Sequence, residues 1–149
     1  MCRSYFILSL ILIAAVALKP ARIIAQECDE DISEKATKLV DKAKDRKKYD
    51  KAKRLVFLRA ALDEEEDYAE ANFMLAIEKI KTQKSKGGGY STVIKYLERV
   101  KLNCPNFHSD VYYYLGAIYL GQKKYALALE NQQLFLDFTS DDEKKFSKK

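Results

Sequence analysis

The sequence repeats itself along its length, and this internal periodicity restricts the fold more than any other feature. A turn, then an aromatic residue and then a leucine with a small neighbour occur at Leu75–Ala76 and again at Leu115–Gly116. A weaker copy places Leu39–Val40 at the corresponding position, so the copies are offset by 36 and 40 residues. A repeat of this length indicates a stack of similar helical units that bury their apolar faces against one another.

Within each copy the apolar residues follow the period of an α-helix. Tyr112, Leu115, Gly116 and Tyr119 have the i, i+3, i+4, i+7 spacing of one helical face. A break at residues 121–122 precedes a further stripe that begins at Tyr125 and runs through Ala128, Leu129, Phe135 and Leu136. The earlier copies show similar stripes, which predicts six helices arranged as three hairpins. Small residues such as Ala76 and Gly116 are expected where paired helices cross closely.

These stripes resemble the tetratricopeptide repeat. The resemblance covers about residues 33–140 and is best in the third copy. The matching residues are Leu97, Val100, Pro105, Tyr112, Leu115, Gly116, Tyr119, Tyr125 and Ala128. The chain departs from the family pattern at Lys79 and Gln132, in a polar first helix and in extra residues over 81–89. The resemblance implies an all-α, tetratricopeptide-like solenoid of about three helical hairpins.

Further phrases resemble the N-terminal repeat region of a family of exported Bacteroidetes envelope proteins. They are Asn103–Pro105, Tyr112–Gly116 and Phe138–Phe146. In that family the repeats precede a β-propeller and an OmpA-type domain that binds peptidoglycan, and some members belong to secretion and gliding assemblies. This chain contains neither of those domains. The resemblance therefore implies a cell-envelope location, with outer-membrane association only through the missing domains.

The N-terminus has the features of a secretory signal peptide. Arg3 precedes an apolar run over residues 5–18, and Lys19–Pro20 end the run before a small residue at Ala25. The run is shorter than the roughly 20 residues that span a bilayer as a helix. We therefore expect a signal peptide over 1–25 rather than a retained anchor, a repeat domain over 26–139, and a periplasmic location.

Export leaves Cys28 and Cys104 in a compartment that permits disulfides. Two cysteines provide no spacing pattern, and their places before the first helix and in a later turn give no reason for them to meet. A bridge therefore stays open as an alternative, and we expect mostly free thiols.

The C-terminus contains a capping-box pattern, with Ser140 as the N-cap and Glu143 three residues later. This pattern predicts that a further helix starts in 140–149. The sequence stops too soon for that helix to cover the last apolar face, which bears Phe135 and Phe138. The pattern predicts a truncated continuation.

The formal charge of +5 does not by itself indicate nucleic-acid binding. Arg3, Lys19 and Arg22 lie in the expected signal peptide, which contains no acidic residue, so the remainder carries 24 basic and 22 acidic residues. These charges form Lys/Glu mixtures of the kind found on solvated helix faces. With no basic cluster interleaved with aromatics expected, nucleic acid is excluded as a partner.

No residue pattern predicts a catalytic, metal or cofactor site. His108 lies near Cys104 and Asp110, but nothing suggests an orienting group or an oxyanion donor for a nucleophilic pair. The glycines at 87–89 follow no Walker order, and the acidic run 63–67 matches no metal-binding loop. We expect a protein that is not an enzyme and has no cofactor and no small-molecule substrate.

The repeat resemblance implies that first-helix positions on the concave side contact a ligand. Mapped onto this sequence, those positions are Phe73, Met74, Ile77, Tyr113, Tyr114 and Ala117. Aromatic and Met side chains suit a peptide or partner helix. The expected function is a non-catalytic periplasmic module that binds a protein or peptide partner and scaffolds an envelope assembly. The alternative is a structural spacer that positions the missing peptidoglycan-binding domain.

Overall fold

The computed structural model describes residue 28, residues 32–86 and residues 89–146, with residues 83–86 and 141–146 described by their backbone alone. Across these ranges the chain forms six helices and no strand, which confirms the all-α prediction. The helices are α1 (Glu34–Lys44), α2 (Lys51–Glu64), α3 (Ala69–Lys86), α4 (Ser91–Asn103), α5 (Asp110–Gly121) and α6 (Tyr125–Phe146). Within the same ranges no helix is long and apolar enough to cross a membrane. The expected signal peptide lies outside the described residues.

Local sequence explains where the first two helices begin and where α5 ends. The Ser33 hydroxyl accepts a hydrogen bond from the Ala36 N–H, and the Asp50 carboxylate accepts one from the Lys53 N–H at 2.8 Å. These side chains satisfy N–H groups that have no partner inside the helix. α5 ends at Gly121, where the break was predicted, and Lys123 then takes a left-handed conformation with φ 61° before α6.

The helices pair in sequence as three antiparallel hairpins, α1 with α2, α3 with α4, and α5 with α6. Two apolar clusters hold the hairpins together. One joins the first hairpin to α3 through Val40, Leu58, Ala61, Tyr68, Ala71 and Leu75. The other joins α3 to α4 and to the third hairpin through Ala76, Val93, Leu97, Val100, Val111 and Leu115. Because α3 contributes to both clusters, it is the helix that links the first hairpin to the rest.

The small residue at position 116 allows close packing of α5 on α6, as predicted. A Cβ added to Gly116 would lie 2.9 Å from Nε2 of Gln132. The Gln132 side chain therefore occupies the space above the glycine.

The helix boundary expected at Ser140 is wrong, because α6 continues without interruption to Phe146. The Ser140 hydroxyl donates a hydrogen bond to the Asp137 carbonyl at 2.9 Å. Thr139 donates in the same way to the Phe135 carbonyl at 3.0 Å. Such bonds to a preceding turn are typical of hydroxyl residues inside a helix. The Ser-x-x-Glu pattern here belongs to a helix interior and not to a helix start.

The open face of the last hairpin also differs from the prediction. Phe135 packs against Tyr113, with ring centroids 5.8 Å apart, and Phe138 lies 6.3 Å from Tyr112. Among the described side chains of α6, the exposed large apolar ones are instead Tyr125, Leu127, Leu129 and Leu136, and all of them except Leu127 share one side of the helix. Of the stripe predicted to begin at Tyr125, only Ala128 is fully buried.

The expectation of free thiols is wrong, because Cys28 and Cys104 form a disulfide with their Cα atoms 5.3 Å apart. Cys104 is buried at the end of α4, and Cys28 packs against the same apolar cluster. The bridge therefore ties Cys28, which precedes α1 in the sequence, to the end of α4. A separation of 76 residues leaves no local signal of this contact in the sequence.

We predict that removing this disulfide destabilises the fold without abolishing its helices. Closing a loop of this length is expected to contribute about 2–4 kcal/mol by restricting the unfolded chain. Urea unfolding of the Cys28→Ser, Cys104→Ser double variant, followed by circular dichroism, should show that loss. An unchanged midpoint in the double variant would contradict this prediction. A reductant that lowers the midpoints of the wild type and of the variant by the same amount would also contradict it, because the variant has no disulfide to lose.

Candidate functional site

The predicted contact residues occupy equivalent positions in two successive repeats, because α5 repeats α3 with an offset of 40 residues. Phe73, Met74 and Ile77 on α3 correspond to Tyr113, Tyr114 and Ala117 on α5. Each set lines a cleft, and no residue lines both clefts. The structure therefore divides the six residues between two sites and does not bring them into one.

The first of these, the α2–α3 cleft, has a volume of about 190 Å³ and an apolar floor with a charged rim. Its floor is formed by Leu55, Leu58, Phe73, Met74 and Ile77, and its rim by Arg46, Lys51, Arg54, Glu78 and Lys81. Four of the five rim residues are basic. The arrangement favours a ligand with an apolar group and a negative charge close to it.

Glu78 is the one acidic residue of this rim and is held between two lysines. Its carboxylate lies 3.1 Å from the Nζ atoms of both Lys51 and Lys81. Burial raises the pKa of Glu78, but hydrogen bonds and charges from Lys81 and Lys51 outweigh that effect, so the pKa lies below its usual value. Glu78 therefore stays ionised and neutralises part of the rim.

Arg54 has a polar atom for which the described part of the chain provides no acceptor. Its Nε is buried and makes no hydrogen bond there. A buried N–H without an acceptor is destabilising, because the group has lost its water without gaining a partner. A ligand oxygen in the α2–α3 cleft could accept the hydrogen bond that this Nε–H does not make within the described chain.

The second site, the α3–α5 cleft, is larger and apolar, with a volume of about 360 Å³. It is lined by Ile80, Tyr90, Tyr113, Tyr114, Ala117, Ile118, Gly121 and Gln122. Tyr113 and Tyr114 meet edge to face, with ring centroids 5.4 Å apart. Ile118 and Gly121 occupy the positions that Glu78 and Lys81 hold in α3, which is why this cleft lacks the charges of the other.

The six residues differ in how far they are engaged in packing. Phe73 is half-buried and stacks on His108, with ring centroids 5.2 Å apart, and it also meets Phe107. Met74, Ile77 and Tyr114 are half-buried as well. Tyr113, with 48% of its surface exposed, and Ala117 face solvent. Tyr113 is therefore the aromatic residue of the six that is most accessible to a partner.

The two residues considered for nucleophilic chemistry have structural roles. Cys104 is in the disulfide and has no thiol. His108 accepts a hydrogen bond at Nδ1 from the Asp110 N–H at 3.1 Å, which places the imidazole at the start of α5. The Ser109 side chain, at the N-cap position of α5, makes no capping hydrogen bond.

The acidic run 63–67 pairs with cations from other helices. Glu64 pairs with Lys35, and both Glu66 and Asp67 pair with Arg99. Among the described residues no group of His, Cys, Asp and Glu could hold a metal ion. Of the glycine run at 87–89, residues 87 and 88 lie outside the described residues.

A basic cluster with aromatic neighbours lies in residues 42–57, where the charge pattern predicted only mixed charges. Lys42 and Lys53 lie 5.8 and 5.7 Å from the ring centroid of Phe57, and Lys48 lies 5.4 Å from that of Tyr49. The signal was present in residues 42–54, which contain eight basic and two acidic residues. Averaging the charge over the whole chain concealed it.

No family model, curated protein or solved structure matches this sequence.

The charge state of Glu78 leads to a prediction about acid stability. Because its pKa is lower in the folded chain than the 4.5 of the unfolded one, its contribution is present above that pH and is lost as pH falls through the folded value. Melting temperatures of the wild type should therefore fall between about pH 5 and pH 3 more steeply than those of Glu78→Gln. Parallel curves for the two proteins would contradict the prediction.

Proposed function

We propose that this chain is an exported, non-catalytic interaction module of the tetratricopeptide type that binds a protein or peptide partner in the cell envelope. The observation that carries the proposal is the recurrence of a cleft at equivalent positions of α3 and α5. These positions are half-buried or exposed, whereas the neighbouring Leu75–Ala76 and Leu115–Gly116 are buried. In a helical repeat, a surface repeated from unit to unit suits an extended ligand that contacts several units.

The repeat assignment rests on the hairpin order and on the recurring buried pair. Leu75–Ala76 and Leu115–Gly116 are fully or almost fully buried at the same register of α3 and α5. Val40 of α1 is buried at the corresponding place in the weakest copy. Adjacent hairpins contact each other through α2 with α3 and through α4 with α5, as stacked repeat units do.

Export is supported by the disulfide as well as by the apolar N-terminal run. Structural disulfides form and persist in oxidising compartments and are rare in the cytosol. Cys28 lies only a few residues after the expected cleavage site, so the bridge ties the new N-terminus to the fold. A periplasmic location agrees with both observations.

A single substitution in the α3–α5 cleft tests the interaction role. Tyr113→Ala removes an exposed ring and should change the free energy of unfolding by less than about 1 kcal/mol. If the cleft binds a partner, the loss of binding should reach about 2 kcal/mol, because aromatic residues at the centre of interfaces commonly contribute that much. Binding is measured with peptides selected by phage display on the wild-type protein.

Tyr125→Ala is the matched control, because Tyr125 is 64% exposed and lies outside both clefts. It should leave both stability and peptide binding unchanged. If Tyr113→Ala unfolds the protein, the ring belongs to the core. If the selected peptides bind Tyr113→Ala as tightly as the wild type, the α3–α5 cleft has no role in their binding, and the spacer alternative is favoured.

A further inference from the structure

The tip of the first hairpin carries an unusual concentration of positive charge. Residues 42–54 hold eight Lys and Arg against two Asp, a local net charge of +6 that exceeds the +5 of the whole chain. These residues form the end of α1, the turn after it and the first turns of α2. The rest of the chain is therefore close to neutral, and the basic groups are confined to one end of one hairpin.

The two carboxylates inside this run accept hydrogen bonds from backbone N–H groups. Asp45 accepts hydrogen bonds from the N–H groups of Lys47 and Lys48 at 3.1 and 3.0 Å, and Asp50 caps α2. Both are therefore occupied in holding the turn and the helix start.

Few of the basic groups have a carboxylate partner from elsewhere. Lys44 pairs with Asp41 and Glu70, and Lys51 pairs with Glu78. Within the described part of the chain the remaining six have no carboxylate within 4.0 Å: Lys42, Arg46, Lys47, Lys48, Lys53 and Arg54. Like charges this close repel one another, so an external anion would be stabilised at this surface.

This basic tip is continuous with the α2–α3 cleft. Arg46, Lys51 and Arg54 belong to both, and below them lie Leu55, Phe73 and Ile77. The buried Nε–H of Arg54, which has no acceptor among the described residues, lies at this place. A ligand with an anion next to an apolar group could place the apolar group on the floor of the cleft and the anion among the basic residues of the tip.

We propose, building on the interaction role above, that the α2–α3 cleft binds a segment of a partner protein in which an apolar side chain is flanked by Asp or Glu. The α2–α3 cleft is concave, and its volume of about 190 Å³ suits one or two side chains. A lipid surface would instead be expected to receive protruding apolar residues between the cations. Carboxylates pair with guanidinium groups in a planar, charge-assisted geometry that Arg46 and Arg54 can provide.

The test uses a short fluorescein-labelled peptide in which a single Leu is flanked by Asp residues, and its counterpart with Asn in place of each Asp. Fluorescence anisotropy with the mature chain should show the acidic peptide binding at least about tenfold more tightly at low salt, since each charge-assisted bond is worth about that factor. Its advantage should decline as salt is added. Equal binding of the two peptides would overturn the proposal.

Two substitutions with opposite expected effects, Arg54→Gln and Glu78→Gln, locate the site, and Arg59→Gln is the control. Arg54→Gln should weaken binding of the acidic peptide about tenfold, whereas Arg59→Gln, farther along α2 and outside this cleft, should not change it. Glu78→Gln removes the one acidic rim group and should strengthen binding, a gain that misfolding cannot produce. Weakening by Glu78→Gln, or equal losses for the two arginine variants, would overturn the assignment to this cleft.

Other anions are distinguished in the same experiment. Sedimentation with phosphatidylglycerol vesicles and anisotropy with a labelled single-stranded oligonucleotide are run with Arg54→Gln beside the wild type. Tighter, Arg54-dependent binding to either probe than to the acidic peptide would overturn the peptide assignment in favour of that ligand. If the acidic peptide fails to bind but phage-selected peptides still depend on Tyr113, this inference is wrong and the interaction role stands.

Discussion

Burial of α3 on two sides is the constraint on which the rest of the fold depends. One side presents Ala71 and Leu75 to the first hairpin, and another presents Ala76 and Ile80 to α4 and the third hairpin. Each fully buried leucine stabilises the fold by about 1.5–3 kcal/mol, so exposing either side of α3 to solvent would greatly lower the free energy of unfolding. Between the buried sides lies the strip of Phe73, Met74 and Ile77, residues that line the α2–α3 cleft. The packing that joins the repeats therefore also creates the candidate site.

The same register is used with different chemistry in the two repeats. In α3, Glu78 and Lys81 follow the apolar strip and give the α2–α3 cleft its charged rim. In α5 the equivalent positions are Ile118 and Gly121, and the α3–α5 cleft is apolar. A ligand that spans both clefts would place an acidic segment near the first hairpin and an apolar segment near the third. The direction in which such a ligand would bind is set by the different side chains at equivalent positions of α3 and α5, since both are helices.

Local patterns predicted the helices well, because the burial of Val93, Leu97 and Val100 follows directly from their spacing. The failures at the disulfide, at Ser140 and at the clefts involve information that a local pattern does not contain. The Cys28–Cys104 bridge joins residues separated by 76 positions, and the boundary at Ser140 depended on whether α6 had already begun. The clefts were mapped as one groove because residue spacing locates a face of a helix but not the helices opposite it. The basic tip was visible in residues 42–54 and was lost only by averaging.

The central claim is that equivalent faces of α3 and α5 form the binding surface. The most direct measurement is a ¹H–¹⁵N chemical-shift titration of the isotope-labelled mature chain with a peptide selected for binding. The account predicts that the largest shifts map to the two clefts, at Phe73, Ile77, Tyr113 and Ala117 and their neighbours. Shifts confined to the exposed side of α6, at Tyr125, Leu129 and Leu136, would contradict it.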